Sequence, residues 1–209
     1  MSEATVQARR PIGRPRKFDE GVVVERAMNA FWANGYRGSS LPDLLEATEL
    51  TRGSFYKAFG SKRDIFMMAF DLYFNTETKL LVDNLTNKNG ACTDGLDRLT
   101  ALFDDAIQRY TSGDKRGCFI YNSLAEIGDS DPGIARQIDR GVKALENAFT
   151  LAVSEARSDL EPLTPEEIKL WTANILGSFL GFKTHVRAGL DYDLKACLNL
   201  LRARLGRAD

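Results

Sequence analysis

Three helix-start signals crowd into the stretch from Ser39 to Phe66, and that spacing leaves room only for short helices joined by tight turns. Ser40 precedes Leu41, Pro42 and Asp43, so its hydroxyl can accept a backbone N–H while Asp43 reaches back, and Pro42 in the first turn removes no needed donor. Leu44, Leu45 and Thr48 continue this helix on one face. Thr51 offers a second cap before Arg52-Gly53-Ser54-Phe55-Tyr56-Lys57-Ala58-Phe59, and Gly60 stops the helix. Ser61 to Asp64 repeats the pattern and opens a helix through Ile65, Phe66, Ala69, Leu72 and Tyr73.

On a wheel of the second short helix, Phe55, Phe59 and Ala58 form the core side. Gly53 and Lys57 point away from it, Ser54 and Tyr56 lie on the flanks, and Arg52 can swing outward from the first turn. The outer side thus has no side chain at Gly53, allowing close backbone approach, and carries donors elsewhere that suit phosphates and base edges. This arrangement suits the major groove of double-stranded DNA.

Phe31 and Gly35, Ser40, Leu44, Leu50, the run Thr51-Arg52-Gly53-Ser54-Phe55-Tyr56, Phe59, Ser61-Lys62 and Phe66 together resemble the DNA-binding domain of the tetracycline-repressor (TetR) family. The resemblance implies an all-α protein with a three-helix head, a divergent helical body for ligand binding and dimerisation, and transcription repressed until a ligand arrives. It also implies that Thr51 to Lys57 enter the major groove and that Lys62 meets phosphate at the start of the fourth helix. Two positions depart from the family pattern: Glu49 stands where a turn glycine is usual, and Leu45 where alanine is usual. A left-handed Glu49 would cost about 1 kcal/mol.

The preceding segment supports the same head. Val23, Val24, Ala27, Ala30 and Phe31 make an apolar stripe, with Asp19 or Glu20 at its start and Asn34-Gly35 at its end; Trp32 reads as a packing residue without a ligand role. Earlier still, Arg9-Arg10-Pro11-Ile12-Gly13-Arg14-Pro15-Arg16-Lys17 reads as a flexible basic arm that could follow phosphates, enter a minor groove, or only solubilise the chain. The formal charge of −1 hides an asymmetry: up to Arg63 there are 11 basic and 7 acidic residues, a balance of +4, and beyond it 17 and 22, a balance of −5. That polarity draws DNA to one end. The expected division is an arm over 1–17, a helix-turn-helix head over 18–78 and a helical body over 79–209.

The body shows helical spacing throughout. Leu96, Leu99, Phe103, Ala106, Ile107 and Tyr110 follow Asp94; Gly113 to Gly117 breaks the run; and Phe119 to Ile127 reads as a short apolar helix. Asp131-Pro132 opens a helix carrying Ile134, Ile138, Val142, Leu145, Phe149 and Val153, and Thr164-Pro165-Glu166-Glu167 opens another to about Ala188. A last helix is expected from about Asp193 to Arg204. For a homodimer seam the candidates are Ala173, Gly177 and Gly181, small residues at helical spacing beside Leu176, Leu180 and Leu198; packing within the chain is the alternative. A twofold dimer would meet a palindromic operator.

A small-molecule inducer, its identity open, could be enclosed by Phe103, Tyr110, Phe119, Tyr121, Asn122, Trp171, Phe179, Phe182 and His185. Cys118, after Lys115-Arg116-Gly117 at a helix start, could be a reactive thiolate that senses oxidants or electrophiles, or a buried inert cysteine. Cys92, Cys118 and Cys197 are odd in number and widely spaced, which argues against a disulfide framework, and with a single histidine they supply no metal set; no cofactor is expected. An enzyme built on Cys118 and His185 lacks an orienting third member. A helical adaptor that binds only protein is the other competing class. No apolar run approaches the roughly 20 residues of a membrane span, and the start lacks that of a signal peptide, so a cytoplasmic location is expected.

Overall fold

The computed structural model describes residues 18–87, 94–129 and 131–207. The basic arm and Cys92 lie outside the described residues. Helices α1 (Glu20–Asn34), α2 (Leu41–Thr48), α3 (Arg52–Phe59) and α4 (Lys62–Tyr73) form the first part. The chain continues from α4 through a π-helical turn, Phe74–Thr78, into α5 (Lys79–Thr86). Then come α6 (Gly95–Thr111), α7 (Phe119–Ile127), α8 (Pro132–Ser154), α9 (Pro165–Ala188) and α10 (Ala196–Arg204). No strand occurs among the described residues, and the fold is all-α.

The short helices begin where their hydroxyls cap them. Ser40 Oγ accepts from the Asp43 N–H at 3.4 Å while an Asp43 carboxylate oxygen accepts from the Ser40 N–H at 2.7 Å, closing a reciprocal box. Thr51 accepts from the Ser54 N–H at 3.3 Å, and Ser61 from the Asp64 N–H at 3.1 Å. Gly60 ends α3 with φ 76°. Glu49 ends α2 at φ 56°, ψ 30°, the left-handed conformation that the glycine of related chains would adopt freely. Its N–H bonds to the Leu45 and Glu46 carbonyls, so the turn is closed despite the strain. The last helix starts at Ala196, later than the spacing predicts, because the Asp193 carboxylate first accepts the N–H groups of Lys195 and Ala196.

Two apolar cores result. The first joins Phe31, Phe55, Phe66 and Phe70 of α1, α3 and α4 to Phe119 and Ile120 of α7 and to Ile134, Ile138 and Leu145 of α8. Phe66 meets Phe31 edge-on at 5.1 Å and Phe119 at 5.7 Å, so α7 packs into the head's own interior. The second core holds Leu99 and Phe103 of α6, Phe149 of α8, Phe179 of α9 and Leu198 of α10. Leu81 and Leu180 pack against both.

Candidate nucleic-acid interface and body cavity

On α3, Phe55 and Phe59 are buried, whereas Arg52, Gly53, Tyr56 and Lys57 are exposed, Tyr56 by 47 %. A Cβ on Gly53 would meet nothing within 4 Å, so the backbone there faces open space. Thr51 and Ser40 are exposed at the starts of α3 and α2, and the Thr51 hydroxyl donates to Ser54 Oγ at 3.0 Å. No acidic residue lies on α3, so the outer side offers donors only to an approaching polyanion. Lys62 is half-buried, its Nζ 4.5 Å from the centre of the Tyr36 ring, and burial lowers its pKa.

Several ties fix this head to the helices beneath it. Arg63 of α4 grips Asp131 with two bonds of 2.7 Å, and the same carboxylate caps α8 through the Gly133 and Ile134 N–H groups. The Arg63 hydrogen bonds hold the Asp131 carboxyl well below the usual carboxylate range, with the two backbone N–H groups helping. Glu126 of α7 accepts the Tyr36 and Arg37 N–H groups at 2.8 and 2.6 Å, beside Gly35, where a side chain would collide with that carboxylate. At the end of α1, Arg187 of α9 donates to the Trp32 and Ala33 carbonyls at 3.0 and 3.1 Å. Arg116 lies 3.7 Å over the Trp32 ring, and Trp32 Nε1–H donates to the Gly117 carbonyl at 3.3 Å.

Below α1 lies a cavity of about 70 Å³. Its wall includes Trp32, Tyr73, Thr78, Leu81, Leu102, Ile120, Phe179 and Lys183, with Glu77, Asp105, Arg109 and Asp114 at its polar side. Of the aromatics and polar groups expected around a ligand, Cys118 and Phe179 line it. The others sit elsewhere. Phe103 stacks on Phe179 within the second core, and Phe119 packs against Phe66, Phe70 and Tyr73. Asn122 donates to the Arg116 carbonyl, and His185 bonds the Gly181 carbonyl at 2.8 Å beside Tyr192. Tyr110 and Phe182 border a separate, open depression with Tyr192. Trp171 packs at the edge of the second core, and the Tyr121 pKa is pushed up to about 12 by burial and by Glu146.

Cys118 is buried at the start of α7, and burial pushes its thiol up from the ordinary value. Burial works against the thiolate that Lys115 and Arg116 would favour: the Arg116 guanidinium is engaged by Asp114, Asn29 and the Trp32 face, while Lys183 still attracts the charged form. Most of the wall carries no ligand role in the sequence, including Thr78, Lys183 and Trp32, the last of which reads there as packing. Only the cation following the Phe179 and Phe182 stripe on α9 hinted at one of them.

Along α9, Ala173 and Gly177 are exposed, and a Cβ on Gly177 would meet nothing within 4 Å. Gly181 instead accommodates the Tyr192 ring of its own chain, Leu180 packs inward, and Leu198 is fully covered in the second core. Exposed Leu170 on α9 and Leu200 on α10 extend the outer apolar surface.

A capped helix-turn-helix with a bare, donor-bearing second helix, set on an all-helical body, defines a DNA-binding transcriptional regulator. The family described as "Bacterial regulatory proteins, tetR family" matches residues 23–67, and "Tetracyclin repressor-like, C-terminal domain" matches 95–192. The uncharacterized HTH-type transcriptional regulator YezE of Bacillus subtilis is 30 % identical, over 72 % of this chain and 76 % of its own. The HTH-type transcriptional repressor ComR of Escherichia coli is 27 % identical, over 77 % of each chain. The solved structure of a cysteine mutant of the TetR family regulator CifR with 26-base-pair operator DNA superposes with a TM-score of 0.68 at 25 % identity, covering 92 % of this chain and 98 % of that one. The chain belongs to the TetR family: it is a DNA-binding regulator of the repressor type, not an enzyme. Among the described residues no helix is long and apolar enough to cross a membrane.

Proposed function

We propose that this protein represses transcription as a homodimer on a palindromic operator and leaves it when a small molecule fills the body cavity. The observation that carries the reading is Trp32. It belongs to α1, a scaffold helix of the head, yet it forms part of the cavity wall. A molecule in that cavity touches the head directly. If its contacts differ between two positions of α1, it shifts the population between them, and operator affinity changes by the same coupling.

In this reading the head spans 18–78 and the body 79–209. Arg52, Gly53, Ser54, Tyr56 and Lys57 approach the major groove, with Thr51 and Ser40 at the helix starts and Lys62 on phosphate. Ala173 and Gly177 of α9, with Leu170 and Leu200, form the twofold seam, which places two heads for half-sites about one helical turn apart or a multiple of it. Operator DNA in the CifR structure and the repressor name of ComR support the DNA half of the reading.

The test is footprinting on the DNA flanking the gene, followed by operator titration with and without candidate small molecules. A molecule that occupies the cavity should weaken operator binding at least tenfold. Occupancy with unchanged operator affinity would end the effector reading.

A second reading replaces the ligand by an electrophile or oxidant that reacts at Cys118, and it is favoured by the placement of that residue in the cavity wall. The raised thiol pKa weighs against it. A Cys118→Ser variant that still releases DNA with its ligand removes this reading; loss of release together with a covalent adduct on Cys118 in the unaltered protein, seen by mass spectrometry, would establish it over the first.

A further inference from the structure

Two polar groups in the cavity wall have no partner, and their chemistry specifies a ligand class; the inference rests on the effector cavity proposed above. The Lys183 ammonium is half-buried in the wall and, among the described residues, makes no hydrogen bond and no ion pair; it lies 5.5 Å from the centre of the Phe179 ring and within electrostatic reach of Cys118 and Asp114. The neighbouring carboxylates are already engaged. Arg109 holds Glu77 and Asp105 at 2.9 Å each, and Arg116 holds Asp114 at 2.9 Å. An ammonium taken out of water without a counter-ion is costly, and here burial lowers its pKa accordingly.

Thr78 is the second group. It is 3 % exposed, lines the same cavity, and its hydroxyl has no hydrogen-bond partner. Thr76, Thr86 and Thr100 each donate to the carbonyl four residues back, whereas Thr78 and, away from the cavity, Thr172 of α9 are buried without a partner. Thr78 ends the π-helical turn, where the Lys79 N–H reaches back to the Phe74 carbonyl. Turns of this kind inside α-helices recur at functional sites. A buried hydroxyl left unpaired, like a buried ammonium, is completed by an oxygen acceptor brought from outside.

The rest of the wall is mixed: Leu81, Leu102, Ile120 and Phe179 are apolar, while Glu77, Asp105 and Asp114, each held by an arginine, lie at its polar side. The volume of about 70 Å³ is roughly half that of a cavity that takes benzene, so the ligand is small. We propose that the cavity binds a short-chain monocarboxylate of about acetate to propionate size, its oxygens taken by Lys183 Nζ and Thr78 Oγ1 and its alkyl end against Leu81, Leu102 and Ile120.

The experiment titrates the full-length protein with sodium propionate and with propionamide at constant ionic strength, reading binding by NMR, and in parallel reads operator affinity by anisotropy. Propionate should bind at least tenfold more tightly than the neutral, isosteric amide. Lys183→Met should weaken propionate at least tenfold, and Thr78→Val about threefold or more. Equal binding of acid and amide, no binding of propionate, or unchanged affinity in a folded Lys183→Met protein overturns the proposal. The acid–amide comparison uses the unaltered chain, so a variant that fails to fold does not shelter it. Lys183-dependent propionate binding without DNA release keeps this site and overturns the effector reading. Release by a neutral molecule alone, with no carboxylate bound, does the reverse.

Discussion

The head and the body solve different problems with the same helices. In the head, every polar device on the DNA side is local: Ser40 with Asp43, Thr51 with Ser54, Ser61 with Asp64, each within one helical turn. At the cavity, the polar groups come from separate segments, with Thr78 from the π-helical turn at the end of the head, Arg109 and Asp105 from α6, and Lys183 from α9. A surface that meets a long polyanion needs only one well-placed short helix. A cavity that encloses a small molecule needs several elements to converge, and its chemistry exists only after folding.

The boundary between the two is the place to break this contrast first. Phe119 of α7 is 1 % exposed and packs against Phe66, Phe70 and Tyr73 of α4 at 5.7, 5.6 and 5.3 Å. Phe119→Ala should cost about 3–5 kcal/mol of stability in urea denaturation, the largest effect expected here. Trp32 in the first core and Trp171 beside the second provide separate fluorescence probes in single-tryptophan proteins. Coincident transitions would make head and body one cooperative unit; a shift at Trp32 alone would make the contrast one of two folding units.

The DNA side sharpens the contrast next. Removing both Tyr56 and Lys57 by alanine should weaken operator binding by about 1–3 kcal/mol per contact while leaving stability nearly unchanged, because both are exposed. Lys57→Ala alone should lower the salt slope of binding by about one if it meets a phosphate. Retained, salt-insensitive binding in the double variant would remove α3 as the reading helix.

Legibility in the sequence followed the same division. Caps at Ser40, Thr51, Ser61, Asp131 and Thr164 all hold N–H groups at the helix starts that their spacing predicts, because capping is a matter of three or four consecutive residues. The π-helical turn at Phe74–Thr78 carries no cap or proline, and its only mark is the polar run Asn75-Thr76-Glu77-Thr78-Lys79, which interrupts the apolar spacing without specifying a turn type. Trp32 read as packing, and it does pack, edge-on to Tyr73 at 4.9 Å; that its other side forms the cavity wall depends on Gly117, 85 positions later. The aromatics chosen for a ligand fell mostly into the two cores, since a helical chain uses the same apolar residues to fill its interior as to line a cavity. Arg187, Glu126 and Asp131, which tie body to head, are single charges whose partners are backbone or a distant arginine, and no periodicity points to them.

A smaller effect tests whether the strained turn belongs to the head's design or merely survives in it. Glu49 at φ 56° lacks the freedom of glycine, and its one ion pair, to Arg26 at 2.8 Å, is 74 % exposed on the Glu49 side. An exposed pair contributes about 0–1 kcal/mol, against roughly 1 kcal/mol of strain relieved. Glu49→Gly should therefore leave the head equally or more stable, by up to about 1 kcal/mol in urea, with operator affinity unchanged. Destabilisation would show that the Arg26 pair holds α1 against the turn.

The smallest expected effect lies at the Arg63–Asp131 tie, which faces solvent on both sides. The Asp131 carboxyl is depressed in the folded protein by its Arg63 hydrogen bonds, so between its folded and unfolded pKa values the unfolded chain binds the extra proton. Its stabilisation is complete above an unfolded value of about 4 and disappears as the pH falls through the lower, folded one. Asp43, Asp94, Asp114 and Glu167 are depressed too, so the wild-type slope at acid pH belongs to all of them. The decisive quantity is the difference between wild type and Asp131→Asn, measured by urea midpoints at stepped pH. That difference should shrink as the pH drops below about 4, because the wild-type carboxyl then also loses its charge. No difference between the two proteins at any pH would show that Asp131 holds the head through its helix cap, which an asparagine can still make, and not through the arginine.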